Sequence, residues 1–211
     1  MRTFSLRQEL ATLCIVGYAF FALPTSLFAQ TDTLFEGANE YRSSKIGLRA
    51  LVPNYWLTYD VTYTSLRGVG VEYLRLYPRA DKGSRISTAL DVYASSIDGI
   101  FNIPTRLRGK LSDADLINWY VDRLARSLNA FKIRSVRKET WLGVPTFVIE
   151  YSERTYDKYD MYTTIHFLFD GDKVYAFSEW FLSHRPASKE QLSTIRKEIR
   201  FLTSDEIRFA P

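Results

Sequence analysis

The chain has 211 residues, of which 46% are hydrophobic and 15% aromatic, and this composition is typical of a globular protein. Its formal net charge is +4, and the basic residues are scattered among acidic ones. Because no stripe of lysine and arginine with interleaved aromatic residues occurs, the sequence argues against nucleic-acid binding.

The first 29 residues have the three parts of a secretory signal. Two arginines precede an apolar run over residues 10–23, and Pro24 follows this run. We predict cleavage between Ala29 and Gln30, because the small Ala29 suits a signal peptidase. A retained membrane anchor is the alternative, although the run is shorter than the roughly 20 residues that span a bilayer.

The only cysteine of the chain, Cys14, lies within this signal. Cleavage would therefore leave a domain without disulfides, a thiol nucleophile or a cysteine-ligated metal. We divide the rest of the chain into a flexible lead-in over residues 30–44, one globular domain over 45–205 and a short tail over 206–211. A domain of roughly 160 residues is long enough to bury one core without disulfides.

Alternating apolar residues predict three strands in the first part of the domain, over residues 45–52, 69–77 and 85–94. Pro53 ends the first of these strands. The sequence places Trp56 in the turn that follows it.

A long connection is predicted over residues 95–111, and a helix begins at Ser112. Asp115, three residues further on, gives a variant of the capping box. Apolar residues at helical spacing continue from there to Leu128.

The second half predicts a first hairpin between residues 131–141 and 146–153. A second hairpin joins residues 161–169 to 173–183 through Asp170-Gly171, a strong turn signal.

A final helix begins at Ser188. The strands of the second hairpin are apolar on both faces, which is typical of a sheet that is covered on both sides. We therefore predict an α+β fold in which a largely antiparallel sheet is flanked by helices on both faces.

Two short motifs accompany this order of elements. Val52-Pro53-Asn54-Tyr55-Trp56 contains a Pro-x-x-Trp sequence, and Gly143-Val144-Pro145 gives a Gly-x-Pro turn between paired strands. With the element order, these motifs resemble the PsbP-like family of α/β/α sandwiches over about residues 45–202. The resemblance implies a PsbP-like sandwich and a family of accessory subunits and small binding proteins, without catalytic residues to carry over. Residues 97–110 depart from the family's pattern.

The sequence offers few residues for catalysis or metal binding. His166 and His184 would lie more than roughly 20 Å apart along the predicted hairpin, so they would not share a metal. Glu150 and Glu179 interrupt apolar stretches and are candidates for a carboxylate pair that hydrolyses glycans. The alternative is that each faces solvent or pairs with a base. We predict no catalytic residues, no metal and no cofactor.

Two sets of residues are candidates for binding. Apolar residues beside basic ones in the 97–110 segment could form a patch for a partner protein or an anionic membrane surface: Ile100, Phe101, Ile103, Arg106, Arg108 and Lys110. The alternative is that the apolar members tuck under the sheet. Aromatic residues on loops could hold a ligand: Trp56, Tyr156 and Tyr159. For Trp56 the alternative is packing in the core.

These patterns favour an exported, non-catalytic binding or accessory protein that acts through a protein partner in the periplasm or outside the cell. After signal cleavage we expect no transmembrane span. Two alternatives stay open: an exported hydrolase or glycan-processing enzyme that uses Glu150 or Glu179, and a carrier of a small apolar ligand.

Overall fold

A computed structural model of the chain describes residues 40–65, 68–81, 86–104, 107, 109–186 and 188–203. The predicted signal, with Ala29 and Gln30, lies outside these residues. The described part folds into ten strands and three α-helices, in the order β1 (Glu40–Ser43), β2 (Leu48–Leu51), β3 (Trp56–Thr64), β4 (Gly70–Pro78), β5 (Thr88–Ser96), α1 (Ile97–Phe101), α2 (Asp113–Ser127), β6 (Lys132–Trp141), β7 (Val144–Arg154), β8 (Asp160–Asp170), β9 (Lys173–Leu182), α3 (Ser188–Lys197) and β10 (Arg200–Phe201).

Seven strands form one antiparallel sheet with the order β3-β4-β5-β9-β8-β7-β6. It consists of two meanders, β3 to β5 and β6 to β9, that meet where β5 pairs with β9. Along this junction Thr88 lies opposite Phe181 and Ser96 lies opposite Lys173. The prediction of a mainly antiparallel sheet in an α+β fold is confirmed.

A second, three-stranded sheet has the order β1-β2-β10. The prediction of a flexible lead-in through residue 44 is wrong for Glu40–Ser43, which forms β1. This strand was missed because it is short and polar, so backbone pairing with β2 rather than an apolar pattern fixes its conformation. The hydroxyl of Tyr41 also donates a hydrogen bond of 2.5 Å to Asp60 on β3.

The placement of Trp56 in a turn is wrong as well, because this residue begins the nine-residue strand β3. Strand β3 is an edge strand whose residues are mostly half-buried on both faces, so its sequence shows no clear alternation. It pairs with β4 along its whole length, from Trp56 opposite Pro78 to Thr64 opposite Gly70.

Side chains of the large sheet alternate between two buried faces. We call one the His166 face, which carries His166 and Leu168 of β8, and the other the Phe167 face, which carries Ile165 and Phe167. The cluster on the His166 face includes apolar residues of β2 and α3. The cluster on the Phe167 face includes residues of α1 and α2.

Local signals in the sequence set several of the boundaries. At the start of α2, Ser112 and Asp115 form the predicted capping box in both directions. The β6–β7 turn uses positive φ angles at Leu142 (53°) and Gly143 (76°). Asp170 pairs with Lys173, so Gly171 at φ 57° lies in the tip of the β8–β9 hairpin.

Candidate functional site

The apolar members of the predicted patch in the 97–110 segment belong to the core. Ser96 caps helix α1, and Phe101 is fully buried, with its ring centroid 5.4 Å from that of Phe167. Ile103 is buried in the same cluster, and Ile100 packs against it. The prediction of an exposed apolar patch is therefore wrong, because α1 turns these side chains onto the Phe167 face.

The basic members of the predicted patch do not form an exposed patch with these apolar residues in the described part of the chain. Lys110 is exposed, and Arg106 and Arg108 lie outside the described residues. The alternative reading of the segment, in which its apolar residues tuck under the sheet, is the correct one.

The three aromatic candidates do not form one site. Trp56 is buried at the start of β3, so the alternative of packing in the core is correct. Its indole nitrogen has no hydrogen-bond partner within the described part of the chain. Tyr156 is 89% exposed in the β7–β8 loop. Tyr159 in the same loop lies with its ring 4.8 Å from that of His184. Because β4, β5 and β9 lie between β3 and this loop, the structure does not bring Trp56 together with the two tyrosines. A ligand-binding role for Tyr156 and Tyr159 stays a prediction.

The two candidate carboxylates lie in one row on the His166 face. Glu150 of β7 and Glu179 of β9 are both opposite Thr164 of β8, so their Cα atoms are two strand spacings, about 10 Å, apart. Glu150 accepts a 2.9 Å contact from Arg137 and a 3.1 Å hydrogen bond from Ser135. Burial raises the pKa of Glu150, but these hydrogen bonds outweigh it and hold the pKa below its usual value.

Glu179 is buried and forms an ion pair with Arg196 of α3. Burial raises the pKa of Glu179 although Arg196 opposes that shift. A buried carboxyl with a raised pKa is what a general acid needs, but here the guanidinium of Arg196 occupies its polar edge. Both candidate carboxylates thus have an arginine partner in this arrangement.

His166 lies between these ion pairs and is buried. Its Nδ1 is 3.2 Å from Glu139 Oε1, and its Nε2 is 3.7 Å from Glu179 Oε1. Neither ring nitrogen makes a hydrogen bond of suitable geometry to the described residues. Burial, with help from Arg196 and Arg137, lowers the pKa of His166 to about 3, so the ring is neutral at neutral pH.

A second polar cluster lies on the Phe167 face and was missed by the sequence analysis. Asp91 of β5 accepts hydrogen bonds from Arg75 Nε (2.6 Å) and Nη2 (2.9 Å), from the Tyr73 hydroxyl (3.0 Å) and from Trp180 Nε1 (2.9 Å). With every acceptor position used, Asp91 holds β4, β5 and β9 together. The cluster is structural, because no donor or acceptor of the carboxylate is left for a ligand.

A shallow hollow of about 180 Å³ opens near the β8–β9 turn, lined by Val144, Leu168, Phe169, Asp170, Tyr175 and Phe201. Sites for small molecules usually have volumes of roughly 300–1,000 Å³. The hollow therefore gives little support to a carrier function.

No group of three His, Cys, Asp or Glu that could hold a metal ion occurs among the residues described.

Strand β6 is one of the two edge strands of the large sheet and lies on the opposite side from β3. It is ten residues long, and within the described ranges only β7 pairs with it. Ile133 and Val136 are 44% and 47% exposed, and a register shift between Ile133 and Ser135 places both on the Phe167 face. Arg134 and Lys138 stand over the rings of Tyr162 and Phe147, each at 4.6 Å.

The fold as a whole was compared with solved structures. It is similar to the solution structure of cyanobacterial PsbP (CyanoP) from Synechocystis sp. PCC 6803, with a TM-score of 0.54 and 16% sequence identity, over 83% of this chain and 99% of that chain. The protein has a PsbP-like fold. A crystal structure of the Pseudomonas aeruginosa protein PA94, of unknown function, matches at a TM-score of 0.40 and 12% identity, over 74% of this chain and 94% of that chain. No protein-family model matches the sequence, and a search of curated proteins gives no match.

Within this PsbP-like fold, Trp56, Phe101 and Ile103 contribute to the core. Strand β6 presents exposed side chains that the sequence analysis did not single out. None of the helices found in the described residues is long and apolar enough to cross a membrane.

Proposed function

We propose that this protein is exported and non-catalytic, and that it acts by binding a protein partner. The observation that supports this proposal is the outer edge of β6, where Ile133 and Val136 are exposed beside a strand edge with which no other described strand pairs. Exposed apolar residues beside such an edge favour a role in association. The proposal includes an α/β/α sandwich with helices on both faces, as in PsbP-like proteins.

The ion pairs around His166 support the non-catalytic part. Glu150 is paired with Arg137, and Glu179 with Arg196, so both candidate acids of a glycan hydrolase already have partners. The alternative enzyme predicts that purified protein hydrolyses glycan substrates and that Glu179→Gln abolishes the activity. Turnover by wild type that this variant loses would overturn the non-catalytic proposal.

The partner proposal is tested by photo-crosslinking in the cells that produce the protein. A photoreactive amino acid replaces Val136 in one variant and Leu51 in the other, since Leu51 is also exposed, at 44%. We expect a crosslinked protein that is specific to position 136 and identifiable by mass spectrometry. Identical adducts at both positions, or none at 136, would contradict a partner on β6.

Export is tested separately on the same cells. The N-terminal sequence of the protein purified from the envelope or medium should begin at Gln30. Recovery of the intact N-terminus from the cytoplasm would contradict the proposed export.

A further inference from the structure

That β6 is a partner surface rests on the proposed function. The charges of β6 indicate which kind of segment binds there. We infer that the β6 edge accepts an acidic, extended segment of a partner protein, which adds to the sheet as its eighth strand. The unpaired backbone edge supplies the hydrogen bonds of such strand addition, and the side chains along the edge select the sequence that is added.

Positive charge lies on both sides of this edge. Lys132, Arg134 and Lys138 are exposed, and no carboxylate in the described part of the chain pairs with them. Tyr162 holds the Arg134 guanidinium on the His166 face, and Phe147 holds the Lys138 ammonium on the Phe167 face. An added strand would therefore meet cations above and below its own plane, so acidic side chains on either of its faces are favoured.

Arg137 differs from these three residues, since it already contacts Glu150 at 2.9 Å and Glu139 at 3.7 Å. The cations without a carboxylate partner among the described residues are thus Lys132 and Arg134 at the start of β6 and Lys138 further along it. Ile133, between the first two, and Val136 offer apolar contacts on the Phe167 face. The partner segment that fits this pattern alternates acidic residues with apolar or β-branched ones.

A second copy of the chain fits the same edge poorly. Pairing of β6 with another β6 would bring lysines and arginines of the two copies close together, and like charges on neighbouring strands are destabilising. An anionic membrane would match the charge but would leave the backbone edge unpaired, because lipid offers no strand. The free edge therefore favours a peptide segment.

The binding experiment uses fluorescence anisotropy with labelled ten-residue peptides and the chain from residue 30 onward. One peptide alternates glutamate with valine and threonine, a second has glutamine in place of glutamate, and a third is the glutamate peptide with every backbone nitrogen methylated. We expect the glutamine peptide to bind at least tenfold more weakly. The methylated peptide should bind no better than the glutamine peptide, because neither of its strand edges has backbone donors.

Two triple variants with the same change in net charge separate this edge from the rest of the surface. K132E/R134E/K138E should lose binding of the glutamate peptide by at least tenfold, whereas K45E/K110E/K197E, at exposed lysines elsewhere, should bind as wild type apart from a small salt-sensitive loss. Far-ultraviolet circular dichroism checks that both variants fold.

Each other outcome overturns the inference. Equal loss in the two triple variants would mean non-specific attraction of charge, and equal binding of the methylated peptide would exclude strand addition. Binding to anionic lipid vesicles without peptide binding would assign the edge to a membrane instead. If position 136 crosslinks a partner in cells but no acidic peptide binds, the proposed function stands and this inference falls.

Discussion

The hydrogen-bonded carboxylate of Asp91 is the feature whose removal we expect to cost most. Asp91→Ala deletes the acceptor for Arg75, Tyr73 and Trp180 and leaves the Arg75 guanidinium largely buried without a counter-ion. Breaking a buried ion pair by removing one partner typically costs about 3–5 kcal/mol. For a chain of this size, a loss of 4 kcal/mol lowers the melting temperature by about 8–16 °C.

The assay is urea unfolding followed by far-ultraviolet circular dichroism, with the slope compared between variants so that a change in midpoint reports stability. A matched control is Asp122→Ala, because Asp122 and Arg126 are 3.9 Å apart with side chains 69% and 65% exposed. Such a surface pair should contribute less than about 1 kcal/mol.

Two results would refute the reasoning. One is a loss below about 1 kcal/mol in Asp91→Ala, which would mean that water replaces the carboxylate without penalty. The other concerns the double variant Arg75→Met with Asp91→Leu, which removes both charges. Replacement of a whole buried ion pair by apolar residues is often neutral, so this double variant should be more stable than Asp91→Ala. If the two are equally unstable, the unpaired charge of Arg75 does not cause the loss of stability.

Three further perturbations test local features. Ser112→Ala removes the cap of α2 and should lower the free energy of unfolding by about 1 kcal/mol in urea titrations. Gly99→Ala should cost about 1–3 kcal/mol in the same titrations, because its new Cβ would lie 2.8 Å from Ser95 Cβ, a penalty larger than the gain in helix propensity. Burial raises the pKa of Glu153 from 4.5 to about 7, so its stability contribution is complete below pH 4.5 and is lost as the pH rises through 7. Glu153→Gln should therefore stabilise the chain at pH 8, by about 3 kcal/mol, and change it little at pH 4.

Each of these variants has a control. Ser112→Asn retains a capping side chain, so equal loss in both Ser112 variants would contradict the role of the cap. Gly70→Ala places a Cβ where no atom lies within 4 Å and should change stability by less than about 0.5 kcal/mol. Glu190→Gln, at an exposed residue of α3, is the control for removal of a carboxylate at the surface. A pH profile of stability in Glu153→Gln that matches wild type would contradict burial as the cause.

The elements with strong local chemistry were predictable from the sequence. The capping box at Ser112 and the hairpin turns at Gly143 and Gly171 are set by a few neighbouring residues, so a pattern in one short stretch specifies them. The apolar faces of β8 and β9 likewise indicated a sheet that is buried on both sides.

Strands β1 and β3 were not predictable in the same way. Both depend on pairing with another strand, β2 or β4, more than on the apolar content of their own residues. The sequence also left open whether the apolar residues of the 97–110 segment are exposed or buried, because an apolar stretch beside basic residues is compatible with an exposed patch or with core. The five-residue helix α1 decides between them by directing Phe101 inward.

The candidate site was less predictable than the fold. Glu150 and Glu179 were identified as unusual carboxylates, but their partners Arg137 and Arg196 come from β6 and α3 and become neighbours only through folding. The importance of β6 follows from its position at the end of the strand order, which no local pattern reveals. Its signal in the sequence is the mixture of four cations with Ile133 and Val136 in one strand.

The pairing of β5 with β9 joins the two meanders and connects parts of the chain that are far apart in sequence. Each meander contains hairpins that can form through nearby contacts, whereas this junction must close a loop of about 77 residues, from Ser96 to Lys173. Closure of such a loop loses chain entropy before it gains contacts, and folding rates fall as contacts become less local. We therefore expect the β5–β9 junction to control how fast the chain reaches its native state. Substitutions along this junction should then change the rate of folding more than equally destabilising ones in the outer hairpins.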